Sequence, residues 1–429
     1  MTKKPVSERE LVLGILIEVT EHGGYSHLVL RDVLSKYQYL EKKERAFITR
    51  VTEGTLEHMM ELDYILDQFS KVKVKKMKPV IRNLLRSAVY QMKYMDSVPD
   101  SAVCNEAVKL SVRKGFSNLK GFVNGVLRTI SRDLSEVELP TMSVKYSLPQ
   151  WMIDQWMESY DEETVARMGQ AFLEEHPTTI RCNLNAVSKE ELIRELREEQ
   201  VEVEETGLPY ALRIRGYDYL NKLTSFQKGH FYVQDVSSMQ VAEWAAPKEG
   251  DYVIDVCAAP GGKAIHMAEK LAGSGHVEAR DLTEYKVNLI NENIQRSRLD
   301  NIEAVCHDAT VYDETAKEKA DIVIADLPCS GLGVLGKKVD LKYKMTKEMQ
   351  DDLVCLQRKI LSVVHEYVKM GGKLVYSTCT IHRGENEETA RWFEETYPEF
   401  RLVKEQQFLP AREEGDGFYI ALFERENHG

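Results

Sequence analysis

The sequence predicts three fold classes in one chain: an all-α front domain, a small α+β middle domain and an α/β domain with a mostly parallel sheet. Three observations carry this expectation. At 429 residues the chain exceeds one ordinary hydrophobic core, so two or three domains are expected. The first 135 residues repeat apolar side chains at three- and four-residue spacing and show almost no strand pattern. From about residue 231, short apolar runs alternate with helical patterns, which calls for right-handed crossovers between parallel strands.

In the front domain, 1–135, Leu11, Ile15, Leu16 and Val19 share one helical face, and Leu84, Leu85, Ala88 and Met92 share another. Gly23-Gly24, Asp96-Ser97-Val98-Pro99 and Lys114-Gly115 break the helices, and Ser101 before an apolar run predicts a helix start. The stretch EVELPTMSVKYSL, 136–148, has no helical period and carries Pro140, with Pro149 just beyond, so a linker is expected there. Residues 149–230 mix a helix, SKEELIRELREEQ, with the extended pieces TTIRCNLN and ALRIRG, which predicts a small α+β domain. Residues 231–429 form the α/β domain. Its expected strands are DYVIDVC, HVEARDL, IEAVCHD, DIVIADL and GKLVYSTC, with helices such as EYKVNLINENIQRSR and EMQDDLVCLQRKILSVVHEYVKM between them.

Composition narrows the function classes. Hydrophobic residues at 43% and charged residues at 29% are ordinary for a globular protein. No apolar run reaches 18 residues, and MTKKPVSERE is not followed by the apolar block of a signal peptide, so a cytoplasmic protein is expected. The seven cysteines are scattered and include no Cys-x-x-Cys, which argues against a disulfide framework and a zinc site. The net charge of −12 is uneven: residues 1–140 hold 23 Lys+Arg against 18 Asp+Glu, and the rest hold 34 against 51. The densest basic stretch, KVKVKKMK, places Lys71, Lys73, Lys75, Lys76 and Lys78 within eight residues. A solvated face is one use for them and phosphate contact is the other.

Ligands of parallel sheets sit beyond the carboxyl ends of the strands. There CAAPGGK, 257–263, joins the first strand of the α/β domain to a helix, and Gly261 and Gly262 permit a tight turn with close backbone approach to a ligand. Asp281 ends the next strand, 20 residues after Gly261, where a carboxylate can accept from ribose hydroxyls. Asp308 follows the third strand, within reach of an adenine amino group; capping the next helix is the competing use of both acids. The loop lacks the G-x-x-x-x-G-K-[ST] pattern of a triphosphate cradle. A nucleoside without phosphate, S-adenosylmethionine, suits the acids better.

Cys329 and Cys379 close the fourth and fifth strands at the same edge. A nucleophilic cysteine acts as the thiolate, a few per cent of the total at neutral pH for a reference pKa of about 8.5. Loop amides or a following helix N-terminus, as in GENEETARWFEE, raise that fraction. The remaining five, Cys104, Cys182, Cys257, Cys306 and Cys355, are expected to be inert buried side chains. His382 lies three residues past Cys379, but an extended strand end does not by itself aim its ring at the sulfur.

The stretches DVCAAPGGKA, DLPCSGLG and YSTCT, in that order and spacing, resemble the RNA cytosine-5 methyltransferases. The front, with GGYSHLVL, ERAFITRVTEGTLE, LRSAVYQMKYMDSVP, NEAVKL and GFVNGVLR, is similar to the NusB-type RNA-binding domain that precedes them in one branch, and RCNLNAV and KGHFYVQDVSS extend the likeness through the middle. The resemblance implies a Rossmann-like class I methyltransferase domain that binds S-adenosylmethionine through Cys257, Ala258, Ala259, Pro260, Gly261, Gly262, Lys263, Asp281, Asp308 and Asp326. It implies methylation of C5 of one cytidine in 16S ribosomal RNA, free or in a small-subunit precursor, with no metal and no membrane. In that scheme Cys379 attacks C6 of the base, Asp326 steadies or protonates N3, and Cys329 helps remove the C5 proton or release product. Two stretches depart from the pattern. Leu327 stands where many relatives have proline, and GKKVDLKY, 336–343, replaces an arginine-rich stretch, leaving Lys337 and Lys338 to contact RNA without bidentate guanidinium bonds. The same chemistry on transfer RNA is the nearest competing reading, followed by a non-catalytic RNA-binding assembly factor. The intact Asp-x-Pro-Cys and Thr-Cys stretches favour an enzyme.

Overall fold

The computed structural model describes residues 6–37, 39–175, 177–411 and 415–426; the basic opening MTKKP lies outside them. The chain divides into two compact units. One runs through Glu174 and takes back Leu335–Lys344, and the other holds Glu175–Val334 and the chain from Met345 onward.

The first unit is helical. Glu8–Glu21, Ser26–Lys36, Lys42–Glu57, Met59–Phe69, Pro79–Tyr94, Asp100–Arg113 and Lys120–Asp133 bury Leu11, Ile15, Leu16, Val19, Leu84, Leu85 and Ala88 in one core, with Met92 half-buried against it, as their spacing requires. The helix expected at Ser101 starts one residue earlier, at Asp100, behind an extended Pro99. Residues 136–148, expected as a linker, carry structure of their own. Thr141 caps the short helix Met142–Lys145 by accepting from the Val144 amide at 3.2 Å, and Tyr146 and Leu148 beyond it are buried. Helices Gln150–Met157 and Glu162–Leu173 complete this unit.

Leu335–Lys344 is anchored in the helical unit by polar contacts. Asp340 accepts from the Ser26 amide at 3.2 Å and the Ser26 hydroxyl at 2.5 Å. Lys342 donates to the Glu57 carbonyl at 2.8 Å, Tyr343 to the Leu56 carbonyl at 2.9 Å, and Lys344 to the Gly24 carbonyl at 2.6 Å. Val339 joins the apolar core. Burial pulls the Lys342 ammonium down to about 7, against the opposing charge of Glu57. This stretch reads in sequence as a charged surface loop, yet only Lys337 and Lys338 of its four lysines are exposed.

The second unit contains two sheets. In the smaller, Thr178–Cys182 (β1), Glu202–Glu205 (β2), Ala211–Arg215 (β3) and Phe231–Val233 (β4) run antiparallel in the order β2-β3-β1-β4, and helix Lys189–Glu198 opens with a Ser188/Glu191 capping box. The larger sheet holds Tyr252–Asp255 (β5), His276–Asp281 (β6), Ile302–Cys306 (β7), Ala320–Asp326 (β8), Val368–Thr378 (β9), Phe400–Phe408 (β10) and Phe418–Arg425 (β11), in the order β10-β11-β9-β8-β5-β6-β7. The five strands read from the sequence are β5 to β9, and they pair in parallel. Alternate residues feed separate cores on the two faces: Val253, Ile322, Ile324 and Val375 on one, Ile254, Val323, Leu374 and Tyr376 on the other. The antiparallel β10–β11 hairpin escaped the sequence reading because β10 is a largely exposed edge strand without a clean apolar alternation.

Candidate active site

Parallel pairing of β8 with β9 sets Asp326 opposite Ser377, so the loops that leave the two strands emerge side by side. Beyond them the sulfurs of Cys329 and Cys379 stand 3.3 Å apart, both half-buried, and the Cys379 amide also donates to the Cys329 sulfur at 3.3 Å. That spacing is a contact between free thiols; a disulfide bond is about 2.05 Å. The two sulfurs are not equivalent. The hydrogen bond to Cys379, then burial, then the charges of Cys379, Glu385 and Asp326 push the Cys329 thiol well above its ordinary value. Cys329 therefore keeps its proton.

Asp326 accepts from the Ser377 hydroxyl at 2.8 Å and from the Lys263 ammonium at 2.7 Å. Burial pulls Lys263 down, but the charges of Asp326, Asp255 and Cys379 outweigh it and hold the ammonium above its ordinary value. Lys263 is thus a cation within electrostatic reach of the Cys379 sulfur. It belongs to the glycine turn after β5, where Gly261 has a φ of 108° and serves as N-cap of helix Gly262–Lys270. The turn is fixed from several sides. Ala258 donates to the Arg280 carbonyl at 2.8 Å, Ala259 to the Asp281 carboxylate at 2.9 Å, and Arg181 of β1 to the Gly262 carbonyl at 3.0 Å.

Asp281 also accepts from the Leu282 amide at 2.7 Å and pairs with Lys286 at 2.9 Å. Asp308 uses its Oδ1 locally, accepting from the amide and hydroxyl of Thr310 at 2.9 and 2.8 Å. Burial, then the charges of Asp255, Asp281 and Asp326, drive the Cys257 thiol well above its ordinary value and leave it unreactive. Acids end β5, β6 and β8, so this edge offers hydrogen-bond acceptors of the kind that hydroxyl and amino groups of a nucleoside require.

Asp255, the last residue of β5, is 1% exposed, and neither of its oxygens reaches good hydrogen-bonding geometry with a donor. Burial, then the charge of Asp326, pushes its acid up to about 7, and the Lys263 ammonium and the Cys257 amide oppose this only in part. The folded protein therefore holds a proton that the unfolded chain has lost between about pH 4 and pH 7. The stability this contributes is complete below about pH 4 and vanishes as pH rises to about 7. Asp255→Asn is expected to flatten that slope, by at most about 4 kcal/mol over the window, in urea unfolding curves recorded across it. Parallel slopes for the two proteins would show that Asp255 is ionised in the fold.

The structure gathers Cys257–Lys263, Asp281, Asp326, Cys329 and Cys379 at the carboxyl edge of one sheet. Lys71, Lys73, Lys75, Lys76 and Lys78 belong to the helical unit, exposed around the turn Val74–Lys76 while Val74 and Met77 point inward; Lys73 donates to the Asp67 carbonyl at 3.0 Å. Two cysteine expectations need correction. Cys104 and Cys182 are buried, but Cys306, at the end of edge strand β7, and Cys355, on the outer face of helix Lys347–Val364, are exposed. The sequence reading also missed Glu385, Ser330, Thr380 and Gln357, all with zero exposure beneath the thiols. The available signal was Gln357, a polar residue on the same buried face as Ile360, Leu361 and Val364. Among the described residues no cluster of His, Cys, Asp and Glu could hold a metal ion, and no helix is long and apolar enough to cross a membrane.

A sheet in this order, helix-covered and closed by an antiparallel hairpin, is the frame of a Rossmann-like methyltransferase domain, and comparison with known proteins assigns the same class. Residues 242–424 match the 16S rRNA methyltransferase RsmB/F family, 6–132 the NusB family, and 148–217 the ferredoxin-like domain of RsmF/B-like methyltransferases. The chain is 36% identical over 447 aligned residues to the probable ribosomal RNA small subunit methyltransferase B of Bacillus subtilis (strain 168), covering 99% of this chain and 100% of the relative. It is 29% identical to the ribosomal RNA small subunit methyltransferase B of Proteus mirabilis (strain HI4320), covering 97% and 98%. The crystal structure of PH0851 superposes with a TM-score of 0.81 at 25% identity over 99% of both chains. That of NSun6 from Pyrococcus horikoshii with SFG, 23% identical, matches the fold with a TM-score of 0.58 over 65% of this chain and 98% of the other. The chain belongs to the ribosomal RNA small subunit methyltransferase B family.

Proposed function

We propose that this protein methylates C5 of one cytidine in 16S ribosomal RNA through a covalent bond between Cys379 and C6 of the base. The observation that carries the reading is the thiol pair, 3.3 Å apart at the ends of β8 and β9, with Asp326 and Lys263 paired at 2.7 Å beside it. C5 of cytosine is a poor nucleophile because the ring is aromatic. Bonding the Cys379 sulfur to C6 breaks the aromaticity and moves electron density onto C5. In this scheme N3 takes up a proton through Asp326 as charge develops there, and the Lys263 ammonium paired with that carboxylate at 2.7 Å compensates the charge on sulfur and carboxylate. S-adenosylmethionine, when bound at the glycine turn, supplies an electrophilic methyl group that C5 takes; its ribose hydroxyls and amino groups suit the acceptor carboxylates at the strand ends. C5 then loses its proton to solvent water, the C5–C6 double bond re-forms as the Cys379 sulfur leaves, and protonated Cys329, 3.3 Å from that sulfur, assists release by donating a hydrogen bond to it.

The target base must be unstacked to reach the sulfur, which costs a few kcal/mol and favours a loop or a partly assembled RNA. The basic stretch of the helical unit supplies affinity that the acidic remainder lacks. The triple variant Lys73→Glu, Lys75→Glu, Lys76→Glu is expected to bind RNA at least about tenfold more weakly near 0.15 M salt with a shallower salt dependence, while cofactor affinity stays native. Unchanged RNA affinity would remove this patch from the binding surface.

The test of the reading is bisulfite sequencing of RNA from cells lacking the protein, complemented with the native chain or with Cys379→Ala. One 16S cytidine that loses protection and regains it only with the native chain is the expected result. A mark lost from transfer RNA instead would move the same chemistry to another substrate. No change in either RNA would favour the non-catalytic assembly factor.

A further inference from the structure

We propose that Glu385 is a positioning residue that holds the Cys329 and Cys379 loops at one fixed spacing. The inference deepens the cytosine chemistry proposed above and rests on it for its meaning, though not for its test.

Glu385 has zero exposure, and its carboxylate gathers donors from three separate segments. Oε2 accepts from the Ser330 amide at 2.8 Å and from Gln357 Nε2 at 2.9 Å. Oε1 accepts from the Ser330 hydroxyl at 2.5 Å and faces His382 Nδ1 at 3.1 Å. A carboxylate only accepts, so the Ser330 proton points to Glu385, and the Thr380 hydroxyl, 2.7 Å from Ser330 Oγ, donates to Ser330 in turn. Ser330 follows Cys329 and Thr380 follows Cys379. One carboxylate thus grips the residue after each thiol, through a relay running Thr380 to Ser330 to Glu385.

The other side of the Cys329 loop is held by the same group. Gln357 donates to the Pro328 carbonyl at 2.9 Å as well as to Glu385, and Tyr376 donates to Gln357 at 3.2 Å and to the Glu385 carbonyl. Removing a charged group from water is costly, and apolar side chains would fill the same space at lower cost. What the polar network adds is direction: bonds of fixed length and angle to both loops. The charge of Glu385 is also among those that keep Cys329 protonated, which ties the positioning to the division of roles between the sulfurs.

The test uses the full chain with Glu385→Gln, Ser330→Ala, Thr380→Val and Thr380→Ser. Diamide oxidises two adjacent thiols to a disulfide, taking up both electrons and both protons, so the rate of the Cys329–Cys379 crosslink, read by mass spectrometry of unreduced peptides, reports their register without RNA. Glu385→Gln and Thr380→Val should slow the crosslink at least tenfold, while Thr380→Ser, which keeps the hydroxyl, stays near the native rate. In methylation assays the first two should lose kcat ten- to a hundredfold with KM for RNA and cofactor affinity within twofold of native. Should Glu385→Gln not fold, Thr380→Val and Ser330→Ala carry the test. Native crosslinking rates in folded variants, or a parallel fall of crosslinking, cofactor affinity and Tm, would overturn the inference. If the native chain methylates no cytidine yet the crosslink slows as stated, the positioning holds and the cytosine reading fails. If the native chain is trapped by 5-azacytidine RNA and the variants trap and crosslink equally fast, the positioning fails alone.

Discussion

On the proposed chemistry, Cys379→Ala is expected to abolish methyl transfer, by on the order of 10⁴-fold or more, because C5 of cytosine has no other route to nucleophilic character. RNA containing 5-azacytidine, which cannot complete the elimination, should trap the native chain as a covalent adduct and leave Cys379→Ala free. Cofactor affinity should not change, since the glycine turn is held by Arg280, Asp281 and Arg181 rather than by the thiol loops. Cys329→Ala should still form the adduct, because its sulfur is the one held protonated. An adduct formed at the native rate by Cys379→Ala would reassign the nucleophile, and Cys329, 3.3 Å away, would be the replacement.

Gly333→Ala should have the largest structural effect of any single methyl group at the site. A Cβ there would lie 1.9 Å from the Gly417 carbonyl oxygen and 2.9 Å from the Cys379 carbonyl oxygen, both backbone atoms with little room to give. The Gly333 amide donates to the Cys379 carbonyl at 3.0 Å, and the Gly417 amide to the Gly333 carbonyl at 2.9 Å, so relief of the clash breaks at least one of these bonds. Overpacking together with a lost buried hydrogen bond is expected to cost about 3 kcal/mol in urea unfolding and to slow adduct trapping through displacement of Cys379. Gly125→Ala, in a helix and with nothing within 4 Å of the added carbon, is the control and should be neutral or slightly stabilising. Native stability of Gly333→Ala would show that the Gly417 loop moves aside freely.

Fold class was legible because it rests on local periodicity. Apolar residues three and four apart must face one side of a helix, which is why Leu11, Ile15 and Leu16 lie in the helical core. Short apolar runs bounded by turns must be buried strands, which is why β5 to β9 fall where DYVIDVC to GKLVYSTC predict them. The polar edge strand β10 has no such signature, and neither does Leu335–Lys344, whose lysines and aspartate look solvated until Ser26, Glu57 and Gly24 are seen to receive them.

By itself the sequence determined the elements and the chemically capable groups at strand ends, because backbone period and side-chain chemistry are local properties. Which of those groups act together was decided only by tertiary structure. Cys329 and Cys379 are 50 residues apart in the chain and in contact in the fold, and Glu385 reaches back 55 residues to Ser330. Asp340 reaches back 314 residues to Ser26. A buried carboxylate beneath two thiol loops leaves no mark on periodicity. It exists only once parallel pairing of β8 and β9 has brought its donors together, and burial has made their hydrogen bonds the sole way to satisfy it.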